Sequence, residues 1–272
     1  MIDFLKNYSY FELAIFGGLL AYLSTAAGAS LVFFFKNINE KLINIFIGFS
    51  AGVMLSASIW SLIIPALEIE KKTNNLSFLP VAFGILIGTV FIFFTEKFIN
   101  FVYLKEQKNN KVKKIVNFFG QKNLLLLLAI FIHNLPEGLI IGISFGSLNF
   151  AHQLITLNSV IILTLAIALQ DFPEGIASSF PLRTNNKFTP FKSFFFGQLS
   201  GLIEPIGAII GFFFINIFQT LVVYFLGFAA GAMLYVIFKE MIPSSQSEKT
   251  SVGTFATIFG FLLMMILDTF LN

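Results

Sequence analysis

Two short stretches of this chain hold most of the side chains that could do chemistry. The first is His133-Asn134-Leu135-Pro136-Glu137-Gly138 and the second is Gln170-Asp171-Phe172-Pro173-Glu174-Gly175; both read polar-polar-apolar-Pro-Glu-Gly. On a helix, residues four apart share a face, so His133 stacks with Glu137 and Gln170 with Glu174, while Asn134 and Asp171 sit one step round. Proline has no N–H, so Pro136 and Pro173 free the carbonyls of Ile132 and Leu169 four residues back. Glu204-Pro205 adds a carboxylate beside another proline, and Met54 adds a thioether. One imidazole, several carboxylates, two carboxamides and a thioether make a mixed donor set. Such a set suits Zn2+, Fe2+, Mn2+, Co2+ or Cd2+ better than thiolate-seeking Cu+ or an all-oxygen Ca2+ cage. The donors outnumber the four that one tetrahedral zinc takes, and Glu137 and Glu174 could bridge two ions.

The elements that must position these groups are membrane helices. The chain has 272 residues, 57% hydrophobic and only 11% charged, with 38 Phe and a mean hydropathy of +0.87. A soluble domain carries about 25% charged residues. A soluble enzyme, a nucleic-acid module and a secreted disulfide scaffold are excluded. Cysteine is absent, which rules out disulfides, iron–sulfur clusters and thiolate metal sites. Eight segments are long enough to cross a hydrocarbon core of about 30 Å: Phe11–Phe35, Leu42–Ala66, Phe78–Leu104, Asn123–Leu148, Asn158–Phe180, Phe191–Phe218, Thr220–Ile242 and Ser251–Leu271. The connections are short and polar, no cleavable signal peptide is evident, and residues 1–272 read as a single polytopic membrane domain. Its longest polar gap is the Lys-rich stretch 105–122.

With eight spans both termini share one side. Termini outside leaves Lys6, Lys71 and Lys72 in outer loops and fourteen Lys and Arg, among them Lys36, Lys108 and Arg183, on the inner side. The positive-inside rule selects that topology and makes 105–122 a cytoplasmic loop. The polar groups then fall at one depth: the centres of spans 4, 5, 6 and 2 lie near Leu135, Leu169, Ile203 and Met54. An ionised side chain at the midplane costs about 2.5–3.5 kcal/mol on insertion scales. Lys and Arg are absent from 124–180, so nothing on the central spans offsets Glu137, Asp171, Glu174 and Glu204. Either several of them are protonated or a bound cation neutralises them, and the expectation is a cation site.

An internal repeat adds a second line of reasoning. Gly48-Phe49-Ser50-Ala51-Gly52-Val53-Met54-Leu55 in span 2 matches Gly227-Phe228-Ala229-Ala230-Gly231-Ala232-Met233-Leu234 in span 7. An odd number of crossings separates them, so the copies face opposite ways. Spans 1–3 and 6–8 then form two inverted units around spans 4 and 5, a pattern found in transporters with a midplane site.

The tandem cassettes, the eight spans and the GFxAGxML stretches resemble the ZIP (Zrt/Irt-like) divalent-metal transporters, particularly their bacterial branch, over essentially the whole chain. The resemblance implies a 3+2+3 helix bundle in the bacterial inner membrane that imports metal to the cytoplasm, through elevator-like motion of the helices carrying the site. It implies a binuclear centre, one metal held by Met54, His133, Glu137, Gln170 and Glu174 and the other by Asn134, Glu137, Asp171, Glu174 and Glu204. Ser61 and Glu240 fall where the family lines the entrance and exit of the path. Gln170 stands where many members have His, Lys239 where relatives often carry His, and the 105–122 loop has no His cluster. Zn2+ is the expected substrate, with Fe2+, Mn2+ and Cd2+ open. Expected partners are metal ions and the lipid bilayer, with no nucleic acid and the homodimer left open. The competing reading is an intramembrane metalloenzyme or metal sensor on the same cluster. A zinc protease, however, would want His-Glu-x-x-His, and this chain has one intramembrane His. Asp268 and Glu96, near span ends, read as structural or interfacial.

Overall fold

Hydrocarbon offers no hydrogen bonds, so a chain this apolar must satisfy its backbone inside its own helices. The computed structural model describes residues 7–36, 39–73, 78–106, 118–119, 121–150, 155–184, 188–246 and 251–271, and every regular element among them is helical. Helix α1 (Tyr10–Ser30) opens on a capping box: the Ser9 hydroxyl accepts from Glu12 N, and the Glu12 carboxylate accepts from Ser9 N at 2.7 Å. Helix α2 (Glu40–Ala57), capped by Asn39, runs through a π-helical turn (Ser58–Ile63) into α3 (Ile64–Thr73). Then come α4 (Leu79–Glu106), α5 (Gln121–Ser147), α6 (Leu157–Thr184), α7 (Pro190–Gln198) and α8 (Ile203–Ile217). Helix α9 (Val222–Val236) passes through a second π turn (Ile237–Met241) into α10 (Ile242–Ser245), and α11 (Val252–Leu271) closes the order.

Seven helical runs among the described residues are long and apolar enough to cross a membrane. They correspond to seven of the eight expected spans. The other, Asn123–Leu148, is the 27-residue helix α5, which is not among the seven. Most of the expected 105–122 loop lies outside the described residues. The sixth span, expected over Phe191–Phe218, is interrupted: its helix stops at Gln198 and resumes at Ile203. Pro205 has no N–H to give the Gly201 carbonyl, which takes the N–H of Glu204 instead at 3.0 Å. The chain therefore turns tightly here and delivers Glu204 in the first turn of a new helix, where the backbone dipole favours a carboxylate.

Small residues let the helices approach closely, the usual device where lipid removes the hydrophobic drive. A Cβ on Gly52 would stand 1.9 Å from the Thr257 carbonyl oxygen, and one on Gly231 2.0 Å from that of Ile85. These contacts seat α2 on α11 and α9 on α4. A Cβ on Gly28 would meet the Phe172 carbonyl oxygen at 1.9 Å, and one on Gly142 that of Ala208 at 1.9 Å. These seat α1 on α6 and α5 on α8. Of the seven apolar runs, the one in α6 is the most enclosed and those in α4 and α11 are the least. The cassettes thus lie inside the bundle.

Candidate metal centre

Both cassette prolines sit inside continuous helices, Pro136 in α5 and Pro173 in α6. The glycine ending each cassette brings in a third and a fourth helix. Gly175 lies against the Thr25 carbonyl of α1, and Gly138 against the Glu204 carbonyl of α8, with Cβ positions 2.0 and 2.4 Å from those oxygens. Four helices therefore meet where the carboxylates are.

Glu137, Asp171 and Glu174 are all buried, and each offers a ligand oxygen within 4.8 Å of the others. Glu204, fully buried, is close enough for its charge to act on Asp171, Glu137 and Glu174. The two carboxamides take hold of this set. Gln170 Nε2 donates to Glu137 Oε1 at 2.5 Å, and Asn134 Nδ2 donates to Glu204 Oε1 at 2.7 Å. Thr25 Oγ1 lies 3.3 Å from the same Glu204 oxygen. The remaining oxygens are bare: Glu137 Oε2, both Asp171 oxygens, Glu204 Oε2 and Asn134 Oδ1 receive no hydrogen bond from the described residues. A buried polar atom left so costs about 1–3 kcal/mol, more when charged. Oxygens facing one another without donors repel, and what relieves them is protons or a cation.

The expected site residues divide into three groups. Asn134, Glu137, Gln170, Asp171, Glu174 and Glu204 come together. Met54 is fully buried in α2, one turn from Ser50, whose hydroxyl donates to the Gln170 carbonyl at 3.3 Å and ties α2 to α6 beside the cassette. His133 is a residue of α5 whose side chain lies outside the described residues. Ser61 and Glu240 stand away from the cluster, one in each π turn. A π turn ahead of Pro65 and another ahead of Pro243 widen the helix where an i→i−4 bond is lost, a feature frequent at functional positions.

Three residues bear on the site without having stood out in the sequence. Asp268, expected near a span end in a structural or interfacial role, is 2% exposed, and both its oxygens accept from Ser61 Oγ at 3.1 and 3.0 Å. Thr25 bonds Glu204. Gly201 leaves the room for that contact, since a Cβ there would stand 2.9 Å from Thr25 Oγ1 and 3.1 Å from Glu204 Oε1. The pattern that finds Thr25 is the repeat itself. Carried back from span 2 into span 1, the separation of 179 residues that pairs Gly48 with Gly227 also pairs Thr25 with Glu204 and Gly28 with Gly207. The same separation pairs Ser61 with Glu240.

With this geometry in hand, the comparison with known proteins is direct. The family model described as ZIP Zinc transporter matches residues 113–268, from ahead of the first cassette to Asp268. The chain belongs to the ZIP family. It is 32% identical to zinc transporter ZIP11 of Xenopus tropicalis, over 98% of this chain and 99% of that protein. It is 32% identical to zinc transporter ZIPB of Bordetella bronchiseptica, over 98% of this chain and 84% of that protein. Zinc transporter ZupT of Chlorobaculum parvum is 31% identical over 93% of this chain. ZIP proteins are transporters and not enzymes, so the metalloenzyme reading falls. As a ZIP protein with several membrane-length apolar helices, the chain is a multi-pass membrane protein.

Proposed function

We propose that this ZIP protein imports divalent transition-metal ions, Zn2+ first among them, through a binuclear centre formed by the two cassettes and Glu204. The observation that carries the proposal is the set of buried oxygens of Glu137, Asp171 and Glu204, contributed by α5, α6 and α8, that receive no hydrogen bond from the described residues. One metal takes Met54, His133, Glu137, Gln170 and Glu174; the other takes Asn134, Glu137, Asp171, Glu174 and Glu204. The amides fit that assignment. Each commits its NH2 end to a carboxylate and leaves its carbonyl end for an ion. Carboxamide and thioether are weak ligands, which suits a site that must release its cargo.

The proposed path enters from the outside past Ser61, crosses the centre and leaves inward past Glu240. It belongs to eight spans in a 3+2+3 arrangement, with α5 as the fourth and both termini outside the bacterial inner membrane. The matched close contacts, α2 on α11 with α4 on α9 and α1 on α6 with α5 on α8, support two inverted units around the central pair. They also support an elevator in which α1, α5, α6 and α7–α8 carry the ions against the remaining helices. Fe2+, Mn2+ and Cd2+ are competing substrates.

The test is uptake of radiolabelled zinc into proteoliposomes beside a Glu174→Ala variant, with iron, manganese and cadmium as competitors. Saturable uptake that the variant loses is the expected result. Zinc that binds with carboxylate dependence but never crosses would replace transport with sensing.

A further inference from the structure

We infer that Thr25 is a positioning residue for the second metal of the centre: it stands where the repeat places a partner for Glu204, and it fixes which oxygen of Glu204 faces the ions. This inference rests on the transport reading above for its metal, but on independent geometry for the residue.

Three observations converge. Thr25 and Glu204 are the same position of the inverted repeat, 179 residues apart. Their backbones are docked alike, the Thr25 carbonyl against the cassette glycine Gly175 and the Glu204 carbonyl against the cassette glycine Gly138. Their side chains meet, both fully buried, with Thr25 Oγ1 3.3 Å from Glu204 Oε1. Gly201 clears the space for this meeting. Two donors, Asn134 Nδ2 and Thr25 Oγ1, therefore converge on a single oxygen, Oε1. Oε2 is left without a donor, and it is the oxygen available to the ions. A carboxylate held through one oxygen has its rotamer set for the other.

The hydroxyl suits the task better than a charge would. It has one proton, and that proton has two acceptors, Glu204 Oε1 at 3.3 Å and the Ala21 carbonyl at 3.4 Å. It can hold Oε1 in one state and turn back onto its own helix in another. It also keeps the symmetric position neutral, so one half of the repeat supplies a carboxylate and the other a donor to it. Groups that orient a metal ligand typically change affinity by about 10–100-fold when removed.

The experiment measures zinc binding by calorimetry on the purified protein and zinc uptake in proteoliposomes, for the wild type, Thr25→Val and Thr25→Ser. Thr25→Val keeps the shape and removes the proton; it is expected to weaken zinc binding about tenfold and raise KM by a similar factor while Vmax stays within about twofold. Thr25→Ser restores the hydroxyl and brings both values back to within about twofold of wild type. Thermal unfolding without metal reads any packing effect separately. Unchanged affinity in Thr25→Val would overturn the inference while leaving transport in place, and so would an equal loss in Thr25→Ser. If the wild type binds zinc but does not move it, the transport reading falls and the calorimetric comparison still decides the role of Thr25. A wild type that binds no zinc overturns both.

Discussion

Glu96 and the cassette glutamates are carboxylates of the same bundle with opposite treatment. Glu96, on α4, is 30% exposed and meets a cation that the chain provides: Lys239 pairs with it, and Tyr235 donates to it at 2.9 Å. Lys239 in turn lies over the Tyr235 ring. Glu137, Asp171, Glu174 and Glu204 are buried close together; Glu137 and Glu204 take amide or hydroxyl donors on one oxygen only, and Asp171 takes none from the described residues. Where the protein needs a fixed polar contact between two helices it brings its own positive charge. At the proposed metal centre it leaves oxygens bare and holds the far sides of Glu137 and Glu204.

The sharpest way to break this comparison is to neutralise one carboxylate of each kind. Asp171→Asn keeps the side-chain shape and removes a charge whose two oxygens lack donors. Zinc uptake is expected to fall more than about 100-fold, beyond the usual effect of losing a group that only orients a ligand. Glu96→Gln removes a carboxylate with its own cation, and uptake stays within about threefold. Equal losses in the two variants, measured side by side in proteoliposomes, would end the distinction.

A second test gives the cluster a fixed cation. In Gln170→Lys an ammonium replaces the amide that donates to Glu137. The variant should fold and resist heat without metal, since the chain now offsets its own charge. Zinc at about 100 times its dissociation constant stabilises a protein that binds it by about 2.7 kcal/mol; that shift should vanish in Gln170→Lys, as read by thermal unfolding with and without zinc.

Protons supply a graded version of the same replacement. They compete with metal for these oxygens, so acid weakens binding and alkali strengthens it. KM for zinc is expected to rise on acidification between about pH 7.5 and 5.5, by at most about tenfold per pH unit for each proton displaced. Glu96→Gln should follow the wild-type profile, because Glu96 is no part of the exchange.

Much of this contrast was legible in the sequence, and the reason is cost. An ionisable residue inside a long apolar run is expensive, so Glu137, Asp171, Glu174 and Glu204 announce themselves by depth alone. Thr25 does not, because a threonine in a membrane helix can satisfy its hydroxyl on its own turn, as Thr25 partly does on Ala21. Asp268 gave only its place near a span end; its burial and its bond from Ser61 come from a helix far away in the sequence, which spacing along its own span does not show. The pairing of α2 with α11 and α4 with α9 was illegible for another reason. Both the lipid face and the protein face of these helices are apolar, so periodicity does not separate them, and only glycines under close contact mark the inner side. The break in the sixth span was written in Glu204-Pro205, but a proline by itself does not say whether a helix bends or stops: α5 and α6 carry theirs without interruption.

The smallest effect belongs to the ion pair that the chain completes by itself. Lys239 is 44% exposed and Glu96 30% exposed, so their attraction is screened and worth no more than about 1 kcal/mol. Lys239→Met keeps a long apolar stem over Tyr235 and removes the charge. Uptake should stay within about twofold of wild type, and thermal stability should drop by a few degrees at most, which thermal unfolding of the two proteins reads directly. Lys239 also precedes Glu240, the residue proposed for the inward exit. If Lys239→Met instead slowed uptake tenfold with stability unchanged, the pair would be part of the path, and the line drawn between the two kinds of carboxylate would have to be redrawn through the second π turn.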